Sequence, residues 1–226
     1  MHTHIHRHTE AFGYALVLPR ASMSLSQLVR ICHSAHAHVP ISLVITVLLQ
    51  TLLGLADLHA LNIVHRDVKA ANVLIGRDAR MLLCDLGASE VLTSQQPLLP
   101  CECDEDTEPR LFPHLAPEFF GRGKSDTYGT LLDVYSFGVM GHKLLDLVRV
   151  TCDDDLLHLA ALDALLRRCT QSPPSARPTV LEALEHDVFK GALPSRALME
   201  WMLVNVFGKS ADDAAAADEL PLWVVV

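Results

Sequence analysis

Three side chains with complementary chemistry lie close together near the centre of the chain. Asp67 offers a carboxylate, Lys69 an ammonium group and Asn72 a side-chain amide. Transfer of a phosphoryl group requires a carboxylate that orients the attacking hydroxyl and accepts its proton, a cation beside the moving phosphoryl group, and an oxygen ligand for Mg²⁺. Residues of these three types in this order predict a loop suited to phosphoryl transfer.

This loop is the first of five short motifs that follow one another along the chain. The full set is His65-Arg66-Asp67 with Asn72, Asp85-Leu86-Gly87, Ala116-Pro117-Glu118, Asp133 to Gly138, and Ala176-Arg177-Pro178-Thr179. Together they resemble the catalytic loop, the D-F-G and A-P-E segments, the buried helix and the late arginine of the eukaryotic protein kinases, serine/threonine type. The resemblance covers roughly residues 5 to 189.

The resemblance implies a reaction and gives four polar residues a role in it. Asp67 would be the catalytic base, and Lys69 would steady the phosphoryl group that passes from ATP to a hydroxyl of a protein substrate. Asn72 and Asp85 would hold Mg²⁺, a hard cation that prefers oxygen ligands. Lys69, two residues after the base, is typical of the serine/threonine type rather than the tyrosine type.

Two apolar residues would complete the nucleotide site that the resemblance implies. Leu18 stands at the start of the predicted hinge, and Leu74 would lie beneath the adenine ring. The cofactors implied are therefore ATP and Mg²⁺, and the residues that would bind them are Leu18, Asn72, Leu74 and Asp85.

A second set of residues would support the site without reacting. Asp133 begins the helix on which the catalytic loop rests, and the guanidinium of Arg177 would form a planar, bidentate pair with Glu118. Arg66 is, in the family, a cation that receives a phosphorylated loop residue. The supporting residues are His65, Arg66, Gly87, Glu118, Asp133 and Arg177.

The segment from Ala88 to Leu115 is polar and interrupted by prolines, which predicts a mobile loop. Regulation by phosphorylation is a hypothesis here, with the acidic run Asp104 to Asp106 as a built-in substitute for a phosphate charge. The candidate hydroxyls are those of Ser89, Thr93, Ser94 and Thr107.

Three features depart from the family pattern. No G-x-G-x-x-G loop, lysine strand or glutamate-bearing helix fits before residue 5, so we expect a chain that begins partway through a kinase domain. A truncated product and a protein that has lost its nucleotide-clamping half both explain this. Leu111 stands where a threonine usually contacts the catalytic aspartate, and the segment from Val148 to Asp155 is short for the family's substrate-docking helix.

Periodicity predicts the elements that must position these residues. Apolar positions recur at spacings of three and four in Ile41 to Val64, which predicts a buried helix. Two short apolar runs around a turn predict a hairpin, Val73 to Ile75 with Met81 to Cys84, that ends at Asp85. The other predicted elements are strands at Ile5 to Phe12 and Tyr14 to Leu18, a helix at 22–30 capped by Ser24 or Ser26, and helices at 133–147, 156–169 and 180–189, with a further amphipathic turn at 201–207.

These elements predict an α+β, protein-kinase-like fold, mainly the α-helical large lobe with a remnant of the small-lobe sheet. Residues 1–189 would form the kinase domain, and residues 190–226 a partly flexible C-terminal extension.

The composition restricts the class of binding partner and the cellular location that we expect. The chain has 226 residues, 50% of them hydrophobic, and a formal net charge of −9, which argues against a nucleic-acid binder. Six cysteines without a secretory signal predict reduced thiols in an intracellular, cytoplasmic location. Polar residues interrupt Ile41 to Val64, so we expect a core helix and no membrane partner.

The resulting prediction is a serine/threonine protein kinase that moves the γ-phosphate of ATP to a protein hydroxyl. The main alternative is a pseudokinase or scaffold, or an inactive kinase fragment, in which the large lobe serves as a binding surface for a partner. The missing Gly-rich loop, the missing lysine and Leu111 favour that alternative, whereas the intact quartet of Asp67, Lys69, Asn72 and Asp85 opposes it. A small-molecule phosphotransferase fits less well, because it would not need the A-P-E segment.

Overall fold

The computed structural model describes residues 5–6, 15–16, 21–101, 109–121, 127–193, 195–206 and 208. Within these ranges six α-helices are joined by short strands and 3₁₀ turns. The helices are α1 (Leu25–Ala35), α2 (Ile41–Ala60), α3 (Leu131–Leu145), α4 (Asp153–Cys169), α5 (Val180–Leu184) and α6 (Ser195–Asn205). This mixture of helices and small antiparallel sheets is the α+β class that the sequence predicts.

The described strands are short, and each pairs antiparallel with a neighbour. They are β1 (Ile5–His6), β2 (Ala15–Leu16), β3 (Met23–Ser24), β4 (Ile63–Val64), β5 (Val73–Ile75), β6 (Met81–Leu83), β7 (Glu90–Val91), β8 (Leu99–Pro100) and β9 (Thr127–Tyr128). They form one three-stranded sheet in the order β3-β5-β6 and three two-stranded sheets, β1-β2, β4-β7 and β8-β9.

Helix α1 begins at a reciprocal cap. The side chain of Ser24 accepts a hydrogen bond from the backbone N–H of Gln27 at 3.3 Å, and the Gln27 side chain accepts one from the N–H of Ser24 at 2.7 Å. This capping box satisfies two donors that a helix start would otherwise leave open. Ser24 is therefore the cap, and the helix runs on to Ala35, beyond the predicted end at residue 30.

Helix α2 is the centre of the hydrophobic core. Its residues Val44, Leu48, Leu52 and Leu55 each expose 3% or less of their surface. By length and composition alone α2 could cross a membrane, but this apolar face packs against the other helices. The helix ends at Ala60, and the last residues of the predicted span form β4 instead.

The predicted hairpin is present, and the chain that leaves its second strand lies beside the catalytic loop. Strands β5 and β6 pair in register from Val73 with Leu83 to Ile75 with Met81. The turn closes when the N–H of Gly76 donates to the carbonyl of Arg80 at 2.8 Å. Strand β3 adds to the other edge of β5, so the hairpin is also fixed to the start of α1.

The described parts of the segment predicted to be a mobile loop are held by small sheets. Strand β7 pairs with β4 directly before the catalytic loop, and β8 pairs with β9 before α3. Leu92 donates its N–H to the carbonyl of Asn62 at 2.7 Å. The start of this segment is therefore fixed beside the catalytic loop, and its middle is fixed to the strand before α3. Residues 102–108, with Asp104 to Asp106 and Thr107, lie outside the described ranges.

Helices α3 and α4 approach closely because two glycines of α3 face α4. A Cβ at Gly138 would lie 2.8 Å from the Cβ of Cys169 and 2.8 Å from the Cγ2 of Thr170, and a Cβ at Gly141 would overlap the side chain of Leu166. The predicted helices in this region are confirmed, with α3 beginning two residues earlier and α4 three residues earlier than the sequence suggested.

The prediction of one helix from Val180 to Phe189 is wrong. Helix α5 ends at Leu184, and a separate 3₁₀ turn covers Asp187–Gly191. The ring of His186 accepts a hydrogen bond from the N–H of Val188 at 3.3 Å, so it caps the second element. A side chain that caps a new turn competes with continuation of the preceding helix.

The described part of the predicted C-terminal extension packs on the same core as the rest. Helix α6 buries Leu198 and Met202, and it extends well beyond the single turn predicted at 201–207. The hydroxyl of Thr46 on α2 accepts a hydrogen bond from the N–H of Leu193 at 2.8 Å. Leu193 and helix α6 are thus held against the same core as the central helix.

Two further predictions concern the strands at 5–18 and the segment between α3 and α4. The strands predicted at Ile5 to Phe12 and Tyr14 to Leu18 are seen as the short pair β1 and β2, with Ile5 opposite Leu16; Leu18 itself lies outside the described residues. Residues 146–152, between α3 and α4, contain no helix. The segment that is short for a substrate-docking helix therefore forms none.

Candidate active site

The carboxylate of Asp133, at the start of α3, fixes the catalytic loop from below. Its Oδ2 accepts the backbone N–H of His65 at 2.8 Å, and its Oδ1 accepts that of Arg66 at 2.9 Å. The Nε2 of His59, at the end of α2, lies 2.9 Å from Oδ2. Asp133 is fully buried, and a buried carboxylate is stable only when its oxygens are satisfied in this way. The loop therefore rests on α2 and α3.

The carboxylate of Asp67 is the point on which the other predicted polar residues converge. The Nζ of Lys69 donates to Oδ2 at 2.7 Å, and the side-chain amide of Asn72 donates to Oδ2 at 2.8 Å and to the Asp67 carbonyl at 2.9 Å. A residue that the sequence did not single out, His114, places its Nε2 2.9 Å from Oδ1. Both oxygens thus have hydrogen-bond partners.

These contacts change the protonation equilibria of both members of the Asp67–His114 pair. Burial alone would raise the pKa of Asp67, but the hydrogen bonds from Lys69 and His114 outweigh it and hold the pKa below its ordinary value of 3.8. Burial lowers the pKa of His114 from 6.5, despite the opposing effect of Asp67. At neutral pH the pair is therefore a carboxylate that accepts from a neutral imidazole.

The second predicted acidic residue reaches the site through the hairpin. The backbone N–H of Cys84 donates to the carbonyl of Asn72 at 2.9 Å, and the Nε2 of His65 lies 3.1 Å from the Cys84 carbonyl. Asp85 follows in a left-handed conformation with φ 64° and is exposed. A Cβ at Gly87 would lie 3.3 Å from Oδ1 of Asp85, so the glycine leaves room for that carboxylate.

Glu118 and Arg177 form the bidentate pair that the sequence predicts. The Nη1 of Arg177 lies 2.5 Å from Oε1 and the Nη2 lies 2.9 Å from Oε2, with both side chains buried. The pair joins the end of the segment that follows Asp85 to the segment between α4 and α5.

Comparison with known proteins agrees with this geometry. The family model of the protein kinase domain matches residues 8–160. The chain belongs to the protein kinase family. It is 30% identical over 190 residues to "Serine/threonine-protein kinase fray1" of Dictyostelium discoideum, an alignment that covers 73% of this chain and 31% of that protein.

Other kinases align over a similar region. "LRR receptor kinase SERK2" of Oryza sativa subsp. japonica is 28% identical over 64% of this chain and 28% of its own length. "Serine/threonine-protein kinase TAO3" of Pongo abelii is 29% identical over 65% of this chain and 17% of its own length. This kinase chain therefore spans less than a third of the length of these relatives.

Protein kinases generally use ATP and Mg²⁺, and the described residues fit the metal ion. The amide nitrogen of Asn72 donates a hydrogen bond to Asp67. The amide oxygen of Asn72 therefore faces away from Asp67. The Asp85 carboxylate is exposed one residue beyond the Cys84–Asn72 hydrogen bond. An amide oxygen and a carboxylate are hard ligands of the kind that Mg²⁺ requires.

The nucleotide side of the site is only partly described. Leu74 lies on β5 and is half-buried, on the hairpin that also carries Asp85. Leu18 is not among the described residues, so its predicted contact with the adenine ring stays a prediction. The roles assigned to Asp67, Lys69, Asn72 and Asp85 also stay predictions.

Arg66 is held in a mostly aromatic setting beside the segment that follows Asp85. It has a φ of 70°, its Nη1 lies 3.4 Å from Oε1 of Glu90, and its guanidinium carbon lies 5.9 Å from the ring centre of Phe119 and 5.8 Å from that of Tyr128. A carboxylate on β7 thus faces the arginine that the sequence assigned to a phosphate. Phosphorylation of a loop residue stays a prediction.

His114 is the residue of the site that sequence reasoning missed. The family pattern pointed to Leu111, five residues before Ala116, but Leu111 is 68% exposed. The imidazole two residues before Ala116 makes the contact to Asp67 instead. The available signal was a single histidine in the short segment before Ala116-Pro117-Glu118, a position from which a side chain can return to the catalytic loop.

Proposed function

We propose that this kinase chain acts as a serine/threonine protein kinase that transfers the γ-phosphate of ATP to a protein hydroxyl. The observation that carries the proposal is the Asp67 carboxylate with donors from Lys69, Asn72 and His114 at 2.7 to 2.9 Å. A depressed pKa keeps Asp67 ionised at neutral pH, so it can accept a proton. The named serine/threonine kinases that align with the chain support the same class.

The hydrogen-bond inventory suggests which oxygen receives the substrate. Oδ2 of Asp67 already accepts hydrogen bonds from Lys69 and Asn72, whereas Oδ1 contacts only His114 among the described residues. A carboxylate oxygen accepts about two hydrogen bonds, so Oδ1 retains capacity for a substrate hydroxyl. In this mechanism Oδ1 orients the hydroxyl and takes its proton, while Lys69 keeps its charge beside the transferred group. Bound Mg²⁺ would neutralise phosphate charge.

The direct test is phosphoryl transfer to serine peptides by the 226-residue chain, compared with Asp67→Asn. The substitution keeps the shape of the side chain and removes the base, so we expect the rate to fall by about 10² to 10⁴. Asp57→Asn is the matched control, because Asp57 is an exposed aspartate on α2. Equal rates for the wild-type chain and Asp67→Asn would contradict the proposed base.

A scaffold without turnover is the second candidate, and two observations favour it. Residues 146–152 form no substrate-docking helix, and Leu111 points to solvent rather than to Asp67. A ligand that binds the native state raises the melting temperature once its concentration exceeds its dissociation constant. We therefore expect Mg²⁺ with ATP to raise the melting temperature of the kinase, and Asp85→Ala to abolish the rise. No rise at millimolar ATP would favour the scaffold.

We further propose that the protein works inside the cell, in the cytoplasm. Support comes from Cys32, Cys84, Cys152 and Cys169, which are thiols in the structure. Burial raises the pKa of Cys169 to about 12, so that thiol stays protonated and unreactive. Fractionation of cells that express a tagged chain would test the location.

A further inference from the structure

A cavity of about 290 Å³ lies directly beside the Asp67 carboxylate, between α1, the catalytic loop and α3. Lys69 and His114 form part of its wall, and the same two side chains contact the two oxygens of Asp67. The cavity is therefore separated from the proposed base by the width of one side chain. A peptide whose hydroxyl reaches Asp67 would carry its neighbouring residues into or past this space.

The charge of the cavity is opposite to that of the whole chain. Its wall includes Arg30 from α1, Lys69 from the loop and Lys143 from α3, and none of the described residues that line it is acidic. Lys69 forms an ion pair with Asp67, whereas Arg30 and Lys143 have no carboxylate partner in the described part of the chain. A chain with a net charge of −9 thus places two uncompensated cations next to its base.

The remaining wall is apolar and suits the aliphatic part of a side chain. Val29, Ala70, Met140 and Leu144 contribute it. His114 adds a ring that is neutral at pH 7, because burial, with help from the charges of Lys69 and Lys143, lowers its pKa. An apolar floor with cations at its edge matches a short chain that ends in an anion.

We propose that this cavity, here called the anion cavity, binds an acidic side chain of the protein substrate. The bound group is the carboxylate of a glutamate or aspartate near the acceptor hydroxyl. An extended chain advances about 3.3 Å per residue, so the acidic position lies within about two or three residues of the acceptor. This inference rests on the proposed kinase function and adds the substrate class to it.

Peptide binding tests the anion cavity without requiring turnover. Two labelled peptides share one serine acceptor and differ only in the flanking positions, which are glutamate in one and lysine in the other. Fluorescence anisotropy with the full 226-residue chain measures their dissociation constants. We expect the glutamate peptide to bind at least about tenfold more tightly, as a few partly exposed charge pairs would produce.

Charge-reversing substitutions test whether the preference for the glutamate peptide arises at the anion cavity. Lys143→Glu should reduce or invert the preference, and Arg30→Glu should act in the same direction, because both side chains line the cavity. Arg196→Glu makes the same change in net charge on α6, outside the described lining, and should leave the preference unchanged. Lys143→Gln serves as a milder variant in case reversal prevents folding, which a thermal melt would reveal.

The outcomes separate this inference from the kinase assignment. Equal binding of the two peptides, or a preference that Lys143→Gln and Arg30→Glu leave intact, overturns the anion cavity even if the chain transfers phosphate. A charge-dependent preference without any transfer supports the anion cavity as a peptide site and overturns the proposed turnover. With transfer present, the glutamate peptide should also show the higher kcat/KM.

Discussion

The contact between His114 and Asp67 ties the proposed base to an imidazole whose pKa is held below its ordinary value of 6.5 by burial. The imidazole lies 2.9 Å from Oδ1, the oxygen with capacity for a substrate hydroxyl. Protonation of His114 would add a positive charge there, and a nearby positive charge makes a carboxylate a weaker base. The charged groups that face the ring are Asp67, Lys69 and Lys143.

A pH profile tests this relation. Because burial depresses the pKa of His114 below 6.5, we expect kcat/KM to be level above that pH and to fall as the pH drops through the lower value. His114→Gln keeps a donor and removes the titration, so its acid limb should move to lower pH. His114→Phe should reduce kcat/KM by about 10- to 100-fold at every pH, because Oδ1 of Asp67 loses the donor that holds it in position. Identical acid limbs in the wild-type chain and His114→Gln would contradict the coupling.

Folding stability also reports on the protonation of His114, and its measurement does not require enzyme activity. Consider a histidine whose pKa is lower in the folded than in the unfolded state. Its contribution to folding stability is complete at a pH above the pKa of the unfolded state, and it is lost as the pH falls through the pKa of the folded state. Urea unfolding at pH 7.5 and at pH 5.5 should therefore show a larger loss of stability for the wild-type chain than for His114→Gln.

At the scale of elements, the close approach of α3 and α4 depends on Gly138. An alanine there would place a methyl group 2.8 Å from the Cβ of Cys169 and 3.2 Å from the carbonyl oxygen of Leu166, atoms that cannot move without the helix. We expect Gly138→Ala to lower the free energy of unfolding by about 1–3 kcal/mol. The measurement is urea unfolding monitored by circular dichroism.

Gly54 on α2 is the matched control for Gly138. A Cβ at Gly54 would meet the Cδ1 of Leu83 at 3.1 Å, and that atom is the end of a flexible side chain. Alanine also stabilises a helix relative to glycine by about 1 kcal/mol, which offsets the contact. Gly54→Ala should therefore change stability by less than about 1 kcal/mol. Similar losses in both variants would mean that close packing at Gly138 is not the cause.

The same elements show how far the sequence alone can lead. Apolar periodicity predicted α2 and the hairpin because both patterns are local. The order of the motifs predicted that the hairpin would end beside Asn72, and the Cys84–Asn72 hydrogen bond brings the residue before Asp85 to that position. The break after Leu184 was missed because a single capping side chain decides it. His114 was missed because its contact spans 47 positions and depends on the path of the intervening chain.

At the scale of the whole molecule, the guanidinium of Arg177 joins three separate parts of the large lobe. Besides the two bonds to Glu118, its Nη1 donates to the carbonyl of Leu131 at the start of α3, at 3.0 Å. Its Nε and Nη2 donate to the carbonyls of Gln171 and Ser172 after α4, at 2.6 and 3.0 Å. All five N–H donors of an arginine side chain are thus used.

Breaking this connection should cost more stability than breaking an ordinary ion pair. Arg177→Met leaves the buried carboxylate of Glu118 without a partner, so we expect the free energy of unfolding to fall by about 3–5 kcal/mol. Arg196→Met is the control, because Arg196 and Glu200 are 70% and 47% exposed and such pairs contribute less than about 1 kcal/mol. Urea unfolding of the two variants measures the difference.

The double variant Arg177→Met with Glu118→Leu separates charge from connection. If the loss comes mainly from an uncompensated charge, the double variant should recover most of the stability, since a buried ion pair can often be replaced by apolar residues. We expect only partial recovery, because the carbonyls of Leu131, Gln171 and Ser172 would still lose their donor. Full recovery would show that the guanidinium acts only as the counter-ion of Glu118.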